Sequence, residues 1–134
     1  MITEQMPDTL GVLLAYLDSD SSLAEVETFS IDLTGYQAGD TWVKITETPG
    51  EQLIEGFLAS PNFDFNVYGP SIEDVRRIAM KVQRSVVSMK GHVNSTLGAV
   101  VTNVRTSVTP FDLTDIFNNQ PRYVFSVAIT VRPL

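Results

Sequence analysis

The chain has 134 residues, 43% of them hydrophobic, and a mean hydropathy of +0.07. That composition fits one globular domain spanning 1–134 and excludes a disordered chain. A net charge of −7 argues against nucleic-acid binding by counterion release, and the lack of cysteine excludes disulfides, thiolate metal sites and a cysteine nucleophile.

Pro7 or Asp8 opens a first helix, with Leu10, Leu13, Leu14 and Leu17 on one face. The polar run DSDSS, residues 18–22, ends it. Phe29, Ile31 and Leu33 alternate with Ser30 and Asp32, the pattern of a strand. TGYQAGD, residues 34–40, reads as a loop, and Trp42–Thr48 as the returning strand of a hairpin. Pro49-Gly50 reads as a turn, and residues 51–62 as an irregular edge.

The stretch FDFNVYGPSIEDVRRIAMKVQRSVVSMKG, residues 63–91, is the clearest part of the chain. Phe63, Phe65 and Val67 alternate with polar residues up to the break at Gly69-Pro70. Ser71, three residues before Asp74, is placed to cap a helix. Ile72, Val75, Ala79, Val82, Val86 and Met89 then mark one apolar stripe, and Gly91 is placed to end the helix. Two period-two strands follow, at residues 100–108 and 123–131. Between them lies PFDLTDIFNNQP, residues 110–121, too long for a tight hairpin and expected to hold a helical turn from Leu113 to Phe117.

This order implies an α+β fold. We expect an antiparallel or mixed sheet of about five strands, with a long amphipathic helix and an N-terminal helix packed on one face. The other face is expected to carry Tyr68, Val101 and Val124.

No catalytic constellation assembles, so the reading is that this is not an enzyme and needs no cofactor. His92, the single histidine, is accounted for by a helix end. Asp18, Asp20 and Ser22 have the spacing of early calcium-loop ligands. Leu23 and Phe29 occupy the positions where that loop needs glycine and glutamate, so no metal is assigned. The start MITEQMPDTLG lacks the pattern of a signal peptide, and no apolar run is long enough to span a membrane. The expectation is a soluble cytosolic product with no membrane partner.

Charge is unevenly distributed. Residues 1–70 carry twelve acids and one base, whereas residues 71–134 carry four acids and eight bases. Arg77, Lys81 and Arg84 form a basic stripe on the long helix. A solvated helix face explains such a stripe, and so does a contact with acids of a neighbouring subunit.

FNVYGPSIEDVRRIAMKVQRSV, the following VVTNVRTSVTP, and the closing RYVFSVAITVRPL together resemble the tail terminator (tail completion, minor tail) proteins of long-tailed bacteriophages. The likeness covers residues 63–134 and, loosely, the first helix. It implies a structural virion protein without enzymatic activity or cofactor. Such a protein forms a hexameric ring that caps the tail tube, stops its polymerisation, and joins the head connector. The implied partners are further copies of the chain, the major tail tube protein and head–tail connector proteins. DNA would pass through the channel without specific binding. The implied location is the head-proximal end of the virion tail, after assembly in the host cytoplasm. Arg77, Lys81 and Arg84 become candidates for intersubunit contact, and Tyr36, Asp40 and Phe117 for contact with tube or connector. Asp18, Asp20, Glu25, Glu27 and Asp32 become candidates for an acidic lumen that lets phosphates slide. Another head–tail joining protein of the neck, and a small ligand-binding module, are the alternative readings.

Overall fold

The computed structural model describes residues 8–54, 58–114 and 119–134. Its elements are α1 (Thr9–Ser19), a 3-10 turn (Ser21–Leu23), β1 (Thr28–Ser30), β2 (Trp42–Ile54), β3 (Leu58–Tyr68), α2 (Ile72–Val87), β4 (Val93–Asn94), β5 (Ala99–Asp112) and β6 (Arg122–Pro133). The described strands form one mixed sheet in the order β1-β2-β3-β6-β5-β4. Only the β1–β2 pair is parallel. The sheet is therefore six-stranded, with a short β4 that alternation over two residues does not reveal.

Helix α2 is built as its sequence implies. The Ser71 hydroxyl accepts from the backbone N–H of Asp74, and Glu73 and Asp74 stand at the positive end of the helix dipole. Val75, Ile78, Ala79, Val82, Ser85 and Val86 form the buried face. Ile72, expected in that stripe, is exposed instead, and Ile78 takes part in its place. Gly91 has a φ of 88°, the left-handed conformation expected after the helix.

The core lies between α2 and the centre of the sheet. Phe63, Phe65, Val67, Phe125, Val127 and Ile129 point from β3 and β6 toward Val75, Val82 and Val86, and all are fully buried. Tyr123 packs against this cluster at its margin. Helix α1 extends the same layer through Val12, Leu13 and Leu17. Both helices contribute to one continuous core on one side of the sheet.

Three expectations fail for identifiable reasons. Pro49-Gly50 is not a turn: β2 runs through it to Ile54, paired with β3, and a register shift between Thr48 and Glu51 absorbs the dipeptide. A side chain at Gly50 would collide with the carbonyl of Ser60, which explains why glycine stands inside the strand. β1 and β2 do not make a hairpin, because they run parallel. The intervening loop, residues 31–41, turns the chain back to bring β2 alongside in the same direction. Val101 is fully buried in the core, not on the open face. Val101 pairs with Val131 and Asn103 with Thr130, so Thr102 is an extra residue in β5 and reverses the alternation after it.

Candidate functional site

The basic stripe of α2 does meet acid from the N-terminal half, within the same chain. Arg77 Nη1 donates to both oxygens of Glu25 at 2.6 Å, and Nη2 donates to Asp74 at 2.9 Å. Lys81 Nζ donates to Glu25 at 2.9 Å. Hydrogen bonds from Arg77, then Lys81, hold the Glu25 carboxyl below its ordinary pKa. Those from Arg77, then Ser71, do the same for Asp74, and Glu25 raises the Arg77 guanidinium. Arg84, the third member of the stripe, is exposed and forms no ion pair among the described residues. It shares a surface groove with Arg76, Met80 and Lys81.

Four of the five acids expected to line a lumen make local contacts. Asp20 accepts from the backbone and hydroxyl of Ser22 at 2.9 and 2.6 Å. Its other oxygen accepts from the nearly buried Ser85 at 2.6 Å. The Ser22 hydroxyl first, then that of Ser85, pull the Asp20 pKa down. Glu25 is the acceptor for α2. Glu27 accepts from the N–H of Thr41 at 2.7 Å, tying β1 to the start of β2. Asp32 accepts from Thr34 N at 3.1 Å and shapes the loop that follows β1. Asp18 is exposed on α1.

Among the tube-contact candidates, Asp40 accepts from Gln37 N at 2.9 Å and closes its own loop. Tyr36 is half-buried, contrary to the expectation of an exposed loop aromatic. Its ring meets Trp42 edge-on at 5.8 Å and Tyr68 at 5.4 Å. Trp42 Nε1 donates to the carbonyl of Asp32 at 3.0 Å, and the Arg122 guanidinium lies 6.0 Å over the Tyr68 ring. Burial first, then Tyr68 and Asp40, push the Tyr36 phenol pKa up. Phe117 lies outside the described residues, as does most of the helical turn expected from Leu113 to Phe117.

This aromatic cluster was not anticipated. Its members are spread over 86 residues of sequence, and only register places Trp42 opposite Tyr68, and Tyr68 opposite Arg122, on one face. Further along that face, where Val124 also lies as expected, polar pairs link β3 and β6. Ser126 donates to Asp64 at 2.5 Å and Thr130 to Ser60 at 3.1 Å. His92 packs edge-on against Tyr16 at 4.9 Å, a structural contact at the end of α2. No group of three or more His, Asp or Glu among the described residues could hold a metal, and none of the described helices is long and apolar enough to cross a membrane.

No family model matches the chain, and no curated protein matches it by sequence. The fold has a counterpart among solved structures. A chain from the virion of a native gene transfer agent particle superposes with a TM-score of 0.66 at 12% identity. The match covers 90% of this chain and 91% of that one. What the two chains share is the fold, and they share it over nearly their whole lengths.

Proposed function

We propose that this protein is a non-enzymatic structural subunit of a phage-like virion. In this reading it forms a ring that ends the tail tube and presents the joint to the head connector. The observation that supports it is the near end-to-end likeness in fold to a chain of a gene transfer agent virion. The sequence resemblance to tail terminators narrows the role within such a particle.

The mechanism is geometric. A ring with two different faces matches the tube end on one side only, so addition of tube subunits stops there. Heterologous contacts between neighbouring copies close the ring. The loops around Tyr36 and Asp40, and around Phe117, are the candidates for contact with tube or connector.

Deleting the gene from its parent particle tests the reading. Tails of uncontrolled length are expected, restored to uniform length by added protein. Tails of normal length that fail to join heads would place the subunit in the neck. Unaltered particles would overturn a structural role altogether.

A further inference from the structure

We infer that the flank formed by α2 and β5 is covered by the opposite flank, α1 through β2, of a second copy of this chain. This rests on the ring reading above and specifies which surfaces close the ring.

The first flank is an unpartnered surface with three features. Ile72, Arg76, Met80, Gln83 and Val87 recur at steps of three and four, so they share one strip of α2. Gln83 donates to Thr106 Oγ1 at 3.0 Å, which fixes that strip on the β5 side. Ile72 and Met80 are each 38% exposed and Val87 41%, although the opposite side of the same helix already serves the core. Next to them, β4 pairs only with Ala99 and Val100, so most of the outer edge of β5 has no described strand beside it. Finally, Arg76, Arg84 and Arg105 have no ion-pair partner among the described residues. The remaining cations of the α2 surface, Arg77 and Lys81, are paired with Glu25 and Asp74.

The second flank lies at the other end of the sheet and has the opposite sign. Its edge strand, β1, is three residues long, and Ile31 beyond it is 56% exposed. Glu27 directly precedes β1, Asp32 and Asp40 lie in the loop that follows it, Asp18 lies on α1, which touches β1, and none is paired with a cation among the described residues. Glu27, Asp32 and Asp40 accept only from neutral donors.

Charge sign selects the mode of contact. Two copies meeting through the same flank would place cation against cation, or acid against acid. Opposite flanks place Arg76 and Arg105 near unpaired acids and bury Ile72, Met80 and Val87 from water. Because the two surfaces sit at opposite ends of one sheet, each added copy leaves a fresh flank exposed. Such a contact propagates until it closes on itself.

The test uses two variants of the full chain, Arg76→Glu/Met80→Glu on the first flank and Asp18→Arg/Ile31→Arg on the second. All four side chains are exposed, and circular dichroism checks that the fold is kept. Where Met80→Glu perturbs folding, Arg76→Glu alone serves. Each variant by itself should run at the 14.8 kDa monomer mass in sedimentation, where wild type runs as a ring. An equimolar mixture should recover assemblies, since it contains one intact interface and one with both charges reversed. Rings formed by either variant alone, or a mixture that stays monomeric, would overturn this pairing of flanks while leaving the ring reading intact. Wild type that stays monomeric at every concentration would overturn both.

Discussion

Arg77 reaches back 52 residues to hold both carboxylate oxygens of Glu25 with a single guanidinium nitrogen. This contact clamps the segment after the 3-10 turn onto α2, with Lys81 as a second donor. It is also the largest cause of the depressed Glu25 pKa. A carboxyl depressed in the folded state adds stability above its unfolded pKa and loses it as pH falls through the folded one. Asp20, Asp74 and Asp112 shift in the same direction. Melting temperature should therefore hold near neutrality and fall below pH 4.5, the ordinary value for Glu25. Glu25→Gln should flatten this acid limb by lowering the neutral melting temperature toward the acid value, a small drop because the pair is solvent-screened. An unchanged acid slope in the variant would refute the clamp.

Phe65 and Phe125 stack face to face across β3 and β6, 4.5 Å between centroids and 4° from parallel. Both are fully buried at the centre of the core. Phe125→Ala should cost about 3–5 kcal/mol, read from the urea midpoint, because the cavity is enclosed by sheet and α2. Phe111→Ala, on an exposed stretch of β5, should fall within about 0.5 kcal/mol of wild type. Equal losses at the two positions would contradict the placement of the core.

Asp20 and Asp18 are adjacent acids with different duties. Asp20→Ala removes the acceptor of the Ser85 hydroxyl, which is only 6% exposed, and should cost about 1–3 kcal/mol. Asp18→Ala should lie within about 0.5 kcal/mol of wild type. A tolerant Asp20 would mean that its charge is kept for something other than folding, such as the channel wall first considered for it.

Trp42 is the single tryptophan and is nearly buried beneath the loop that carries Tyr36. Tyr36→Ala should open that cover, shift Trp42 emission to the red and raise its quenching by acrylamide. Identical spectra would mean that the loop shields Trp42 without Tyr36. In an assembled particle the same spectral reading would report whether tube or connector binds over this cluster.

Legibility in the sequence followed how local the physics was. The cap at Ser71, the break at Gly69-Pro70 and the alternation of β3 and β6 depend on neighbours within a few residues, and each is found where it was expected. The start of β5 is turned over relative to the alternation, with Ala99 and Val101 in the core, and the extra residue at Thr102 restores the expected face so that Val104 packs against the core; such a bulge leaves no mark in an apolar/polar pattern. Pro49-Gly50 has the chemistry of a turn, and only pairing with β3 makes it a bulged strand. Charge segregation pointed to acids opposite the α2 stripe. It could not distinguish an acid of the same chain from one of a neighbour, and Glu25 supplies the first case. The aromatic cluster required register across three strands, which no local signal encodes.

The placement of β6 governs when a subunit can exist. The last long stretch of the sequence, Arg122–Pro133, lies between β3 and β5 in the sheet. Until the ribosome has delivered it, β3 and β5 have no shared neighbour, and Phe65 has nothing to stack on. β3 can pair with β2 before then, but the edge of β3 that faces β6 and that of β5 both wait for Arg122–Pro133, a non-local pairing of the kind that folds late. A chain without β6 therefore lacks the strand that joins β3 to β5, and with it Phe125, Val127, Ile129 and Val131 of the core.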